Sequence, residues 1–115
     1  MTQVFYSRSN AGFTLVCRGH ADYAQRGKDI VCAGISALCG ALEISLGNLQ
    51  DKGMAVSHFC RTDDGYFYAA AQAAEMSIGV ETAFELVYDG LCRIEEAYPQ
   101  NLSCRRRIFR EEESE

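Results

Sequence analysis

Two histidines and six cysteines occur among the 115 residues, and one histidine and two cysteines lie in or beside the stretch "GHADYAQRGKDIVCAGISAL", Gly19 to Leu38. His20 follows a glycine in a polar segment, and Cys32 stands three residues after Asp29. An aspartate so placed reads as a helix N-cap, its carboxylate accepting from an amide two or three residues on. Cys32 is then the third helical residue, near unpaired amides and the positive end of the helix dipole, a position that favours the deprotonated, nucleophilic sulfur. A chain reversal through residues 20–28 would carry the His20 imidazole to that sulfur. A Cys/His pair can open an amide: sulfur attacks the carbonyl, imidazolium protonates the departing amine, and water later frees the acyl group. Backbone amides near Cys32 would stabilise the oxyanion. Ser36, one turn on and on the same helix face, would support the histidine, the sulfur or a bound peptide.

Each residue also has a plainer reading. Cys32 fits a buried small hydrophobe, Asp29 a simple cap, His20 a solvated loop residue and Ser36 a hydroxyl bonded back to a helix carbonyl. His58 alternates with Met54, Val56 and Cys60, which reads as a partly buried structural histidine in a strand. No CxxC pair occurs and neither histidine stands at zinc-finger spacing from the cysteines, so no metal is expected, and chemistry by a Cys/His pair needs no cofactor. Gly19 and Gly27 match neither common phosphate-binding fingerprint.

The elements that must position these residues follow from periodicity. Thr2 to Arg8 and Phe13 to Arg18 are rich in β-branched and aromatic residues around the turn Ser9-Asn10-Ala11-Gly12, and so read as a hairpin. Residues 20–28 form a polar, glycine-flanked loop, expected to be mobile. Ile35, Leu38, Leu42, Leu46 and Leu49 recur at helical spacing until Asp51-Lys52-Gly53. Ala33, Gly34, Ala37, Gly40, Ala41 and Ile44 make that helix apolar nearly all round, so a second helix or another subunit should cover it. Met54 to Arg61 and Tyr66 to Gln72 form a second hairpin around Thr62-Asp63-Asp64-Gly65. Met76, Val80, Phe84, Val87, Leu91, Ile94 and Tyr98 mark a second helix, stopped by Pro99. The predicted fold is α+β: a two-layer ββαββα arrangement with an antiparallel sheet and two helices, its strand order open. Residues 1–100 form a single domain, and residues 101–115, with Arg105-Arg106-Arg107 before Glu111-Glu112-Glu113, read as a charged, solvated tail.

Hydrophobic residues at 48% and charged residues at 23% place the chain among folded globular domains rather than disordered segments. A formal charge of -5 supplies no general basic field, so direct nucleic-acid binding is disfavoured. The first residues lack the pattern of a signal peptide and no uninterrupted apolar run approaches a membrane span of ~18 residues. A cytoplasmic protein with reduced thiols and no membrane association is expected, since the cysteines mostly fall in apolar periodic segments.

The stretch from Gly19 to Leu38 resembles the ribosomal-processing cysteine protease family, Prp, whose pattern runs close to G-H-A-x-Y-A-x-x-G-x-D-I-V-C-A-x-x-S-A-L. The resemblance extends over nearly the whole chain, through the two hairpins and a last helix ending "GLCRIEEAYPQNL". It implies that Cys32 is the nucleophile and His20 its catalytic partner, with Asp29 and Ser36 at the motif's other polar positions. It further implies a homodimeric cytoplasmic endopeptidase that removes a short N-terminal extension from a bacterial large-subunit ribosomal protein, cutting after a pair of aromatic residues. Asp22 departs from the pattern, where glycine is frequent. The competing expectation is a non-catalytic ribosome-assembly or peptide-binding module that uses the same groove, with the cysteine only structural.

Overall fold

Period-two burial places Thr2, Val4 and Tyr6 of β1 (Thr2–Ser9) and Phe13, Leu15 and Cys17 of β2 (Gly12–Arg18) on one inner face. Asn10 turns the chain between them at φ 37°, and the strands pair antiparallel from Gln3 opposite Arg18 to Ser9 opposite Gly12. The computed structural model describes residues 1–109. After the first hairpin come α1 (Ile30–Asp51), a second hairpin of β3 (Ala55–Asp63) and β4 (Tyr66–Ala73), α2 (Gly79–Ala97) and β5 (Leu102–Phe109). The five strands form one sheet in the order β3-β4-β2-β1-β5.

α1 and α2 share one core with the inner face of the sheet, built on residues such as Leu15, Leu42, Leu46, Phe84 and Leu91. Glycines let the helices approach: a Cβ on Gly90 would stand 2.9 Å from the Leu38 side chain, and one on Gly34 3.3 Å from Ile94. By length and apolar content α1 would also pass for a membrane span. A reading of uninterrupted apolar runs does not register this, because Ser36, Glu43 and Ser45 break the run. Val31, Ile35, Cys39, Leu42 and Leu46 are buried in the core instead.

Two expectations change. The segment read as a tail from residue 101 contains β5, which pairs parallel with β1 from Thr2 opposite Leu102 to Ser9 opposite Phe109. Backbone ladder bonds do not depend on side-chain polarity, and β1 without this neighbour would present an edge of unpaired N–H and C=O groups. Arg106 pairs with Glu85 at 3.4 Å and lies over the Tyr6 ring at 5.8 Å, while the Cys104 amide donates to Glu95 at 3.0 Å. The two-layer α+β arrangement stands, with a fifth strand that makes the sheet mixed. Residues 110–115, the rest of the expected tail, lie outside the described residues. His58 is also exposed rather than partly buried, beside Gln50 Oε1. β3 is an edge strand on which, from Val56 to Asp63, only Cys60 is even half-buried.

Candidate active site

Asp29 joins the first turn of α1 to the loop before it. Its Oδ1 accepts from the Val31 amide at 3.0 Å and the Cys32 amide at 2.9 Å, capping the helix. Its Oδ2 accepts from the amides of Tyr23 at 2.9 Å and Ala24 at 3.1 Å. The Cys32 amide is the main influence holding this carboxyl below the usual carboxylate range; burial opposes it, and the amides of Ala24, Tyr23 and Val31 reinforce it. With both oxygens engaged by backbone, Asp29 makes no hydrogen bond or ion pair with His20 among the described residues.

Cys32 is half-buried, and its Sγ accepts from the Ala21 amide at 3.4 Å. Ala21 is fully buried and its carbonyl accepts from Asn101 Nδ2 at 2.9 Å, so the residue after His20 is fixed from both sides. The amides nearest the sulfur within the helix are occupied: those of Val31 and Cys32 by the Asp29 carboxylate, that of Ala33 by the Asp29 carbonyl at 3.0 Å. The expected oxyanion donors at the helix start are thus already engaged, and the amide directed at the Cys32 sulfur is that of Ala21.

His20 is carried from the other side by the Gly19 amide, which donates to the Gly65 carbonyl at 2.8 Å. Its Nε2 lies 3.6 Å from Asp64 Oδ1 in the β3–β4 turn. Among the described residues the imidazole makes no hydrogen bond to the Cys32 thiol. Both nevertheless line a single cavity of about 580 Å³ with Asp29 and Ser36, above an apolar floor that includes Ile35 and Phe67. Ser36 is exposed at the cavity wall, one turn beyond Cys32.

The loop expected to be mobile is held at several points. Arg26 pairs with Asp64 across the cavity, Tyr23 packs edge-on against Tyr98 with ring centroids 5.1 Å apart, and the N-terminal ammonium lies 3.3 Å from Asp22. Asp22 adopts φ 57°, a left-handed conformation that glycine takes most readily and aspartate tolerates. This accounts physically for a glycine preference at that position in the motif.

Three other cysteines have the character of packing residues. The neighbouring Cys39 sulfur, 3.7 Å away, and burial push the Cys17 thiol up; burial, then Glu43, pushes Cys60 up to about 11. Burial and Cys92 push Cys104 up to about 12. Neutral thiols at these positions suit a core rather than a nucleophile.

The four residues that the sequence singles out share one cavity, but its opposite wall, supplied by the β3–β4 turn, escapes a reading of the sequence. Thr62-Asp63-Asp64-Gly65 carries a signal that reads only as turn chemistry. Its closeness to His20 depends on β4 pairing with β2, where Arg18 stands opposite Tyr66.

The same fold is found among solved structures. The chain is similar to the essential ribosomal processing protease Prp from S. aureus in complex with a covalently linked product peptide: 25% identity, TM-score 0.70, 92% of this chain and 99% of the other covered. A second structure of the S. aureus protease, with a substrate peptide, matches at 24% identity and TM-score 0.65 over the same shares. SMU.848 from Streptococcus mutans matches at 23% identity and TM-score 0.64, covering 95% of this chain and 96% of that one. These last two show the shared fold. No curated protein matches the chain. The family model described as cysteine protease Prp matches residues 1–103, which span both hairpins, both helices and the whole cavity, and the chain therefore belongs to the Prp cysteine protease family.

Proposed function

We propose that this protein is the endopeptidase that removes the N-terminal extension of a bacterial large-subunit ribosomal protein, cutting after aromatic residues. The observation that carries the reading is the meeting of Cys32, at the capped start of α1, with His20 in one cavity large enough for a peptide segment. Cys32 is the nucleophile. Its sulfur bonds to the scissile carbonyl carbon, the carbon–nitrogen bond breaks, and His20, which has taken the thiol proton, delivers it to the leaving amine. Water then attacks the thioester carbonyl, His20 takes a proton from it and returns that proton to the sulfur, and the carboxylic acid product leaves. As charge moves from sulfur to the carbonyl oxygen, the Ala21 amide is the nearby donor suited to follow it. Asp29 positions the pair by fastening the loop to the helix start, and Ser36 meets peptide at the cavity wall. The apolar floor of Ile35 and Phe67 supports a preference for aromatic side chains. No cofactor enters these steps.

We place the enzyme in the cytoplasm as a homodimer. α1 supports the pairing: Ala33, Ala37, Ala41 and Ile44 form one exposed face, and only 28% of the helix's most apolar stretch is buried within the single chain. The test is mass-spectrometric analysis of a peptide copying the N-terminal extension of the organism's own ribosomal protein. A single cut by the wild type, lost in Cys32→Ala and His20→Ala, is expected. Binding without any cut by the reduced wild type, on peptide and intact substrate alike, would replace the protease with a peptide-binding module.

A further inference from the structure

We propose that Asp64 is a positioning residue for His20, completing a Cys32–His20–Asp64 arrangement that spans the loop, the helix start and the β3–β4 turn. This rests on the endopeptidase reading above. A cysteine–histidine pair works best when a third group fixes the imidazole's orientation and tautomer. Asp29, the carboxylate nearest in sequence to Cys32, is already occupied by four backbone amides. Asp64 is the carboxylate that the fold brings to His20, with Oδ1 3.6 Å from Nε2. That is ion-pair range, a few tenths of an ångström beyond a direct hydrogen bond.

Which nitrogen faces Asp64 matters chemically. A proton on Nε2, directed to the carboxylate, leaves the Nδ1 lone pair free to take the proton of the Cys32 thiol. The backbone is arranged for this approach. The Gly19 amide donates to the Gly65 carbonyl, placing the histidine's own segment against the turn, and Gly65 has no side chain where a Cβ would stand 2.9 Å from Nε2. Arg26 pairs with the same Asp64 oxygen, so the carboxylate that orients the histidine also receives the loop that lines the cavity. The adjacent Asp63 is instead paired with Arg61 at 2.7 Å.

The test is steady-state cleavage of the extension peptide by wild type, Asp64→Asn, Asp64→Ala and Asp64→Glu, with Glu75→Gln, exposed and outside the cavity lining, as the control for removing a negative charge. Asparagine keeps the turn chemistry, so Asp64→Asn preserves the fold. Both Asp64→Asn and Asp64→Ala should lower kcat by about 10- to 100-fold with KM within about twofold of wild type, the cost expected for a reacting group misplaced by ~1 Å. Asp64→Glu should recover at least about a third of wild-type kcat, and Glu75→Gln should stay within about twofold. Unchanged kcat in Asp64→Asn and Asp64→Ala overturns the proposal. So does an equal loss in Glu75→Gln, which would make it an effect of overall charge, or a rise in KM alone, which would make Asp64 a peptide contact. No cleavage by the wild type would instead overturn the endopeptidase reading, so the two failures are distinguishable.

Discussion

Replacing Gly65 by alanine should separate site geometry from stability. Two effects act together at this position. Gly65 has φ 67°, and a non-glycine residue in that left-handed region costs about 1–2 kcal/mol. The added Cβ would also lie 2.9 Å from His20 Nε2 and 3.3 Å from both Cδ2 and Cε1. Ordinary carbon contacts begin near ~3.5 Å, so the ring must move by roughly half an ångström or more. Gly53 supplies the control. It has φ 76° and nothing within 4 Å of the point where a Cβ would stand, so Gly53→Ala carries the backbone strain without the contact. It also closes the far end of α1, about 30 Å along the helix axis from Cys32. Both variants should lose about 4–8 °C in Tm for each kcal/mol of strain. Only Gly65→Ala should lose activity, by about 10- to 100-fold in kcat, because displacement of a reacting group by ~1 Å has that cost. Differential scanning calorimetry and peptide cleavage under the same conditions measure the two quantities. Full activity in Gly65→Ala, or equal inactivation in Gly53→Ala, would refute the placement of His20 against the turn.

Further outcomes follow from the same geometry. The Asp29 carboxyl titrates below its unfolded value of ~3.9, so its contribution to stability is present above that pH and is lost as pH falls through the lower folded value. The amide resonances of Tyr23, Ala24, Val31 and Cys32 should therefore titrate together below pH ~3.9, and a midpoint above it would contradict the assigned bonds. In Asp29→Asn that common titration should vanish, with faster amide exchange at Tyr23 and Ala24. Leu102, fully buried at the start of β5, should cost about 2–5 kcal/mol when changed to alanine; a loss below ~0.5 kcal/mol by denaturant unfolding would return the segment to a surface tail. Ile44→Glu, on the exposed face of α1, should convert a dimer into a monomer in analytical ultracentrifugation while leaving the monomer folded. An unchanged dimer would move the interface elsewhere.

The cavity is assembled where elements remote in sequence meet. Asp29 holds the loop to α1, Asn101 holds Ala21 from the segment before β5, and the β3–β4 turn meets Gly19 and His20. A single altered contact at any of these places changes the path between His20 and Cys32 without touching either residue. The buried chemistry of the core, by contrast, can absorb cysteine as packing, as it does at Cys17 and Cys39.

Much of this is legible in the chain alone, where the physics is local. A helix cap needs only an aspartate two or three residues before the amides it accepts from, so Asp29 and the start of α1 are readable, and with them the position of Cys32. Alternation over short spans reveals the four hairpin strands, and the motif's spacing singles out His20 and Ser36. Tertiary structure decides what depends on distant pairing. Charged Arg105 to Arg107 give no strand signal because β5 is stabilised by the backbone edge of β1 and by Glu85, a contact that spacing within the segment cannot encode. The exposure of His58 depends on β3 falling at the sheet edge, and strand order is invisible to a period of two. Asp64 reads as a turn residue until β2–β4 pairing brings that turn to His20, more than 40 residues away in the chain. Local sequence specifies the helix that carries Cys32 and the loop that carries His20; the sheet's long-range register determines which carboxylate stands beside the histidine.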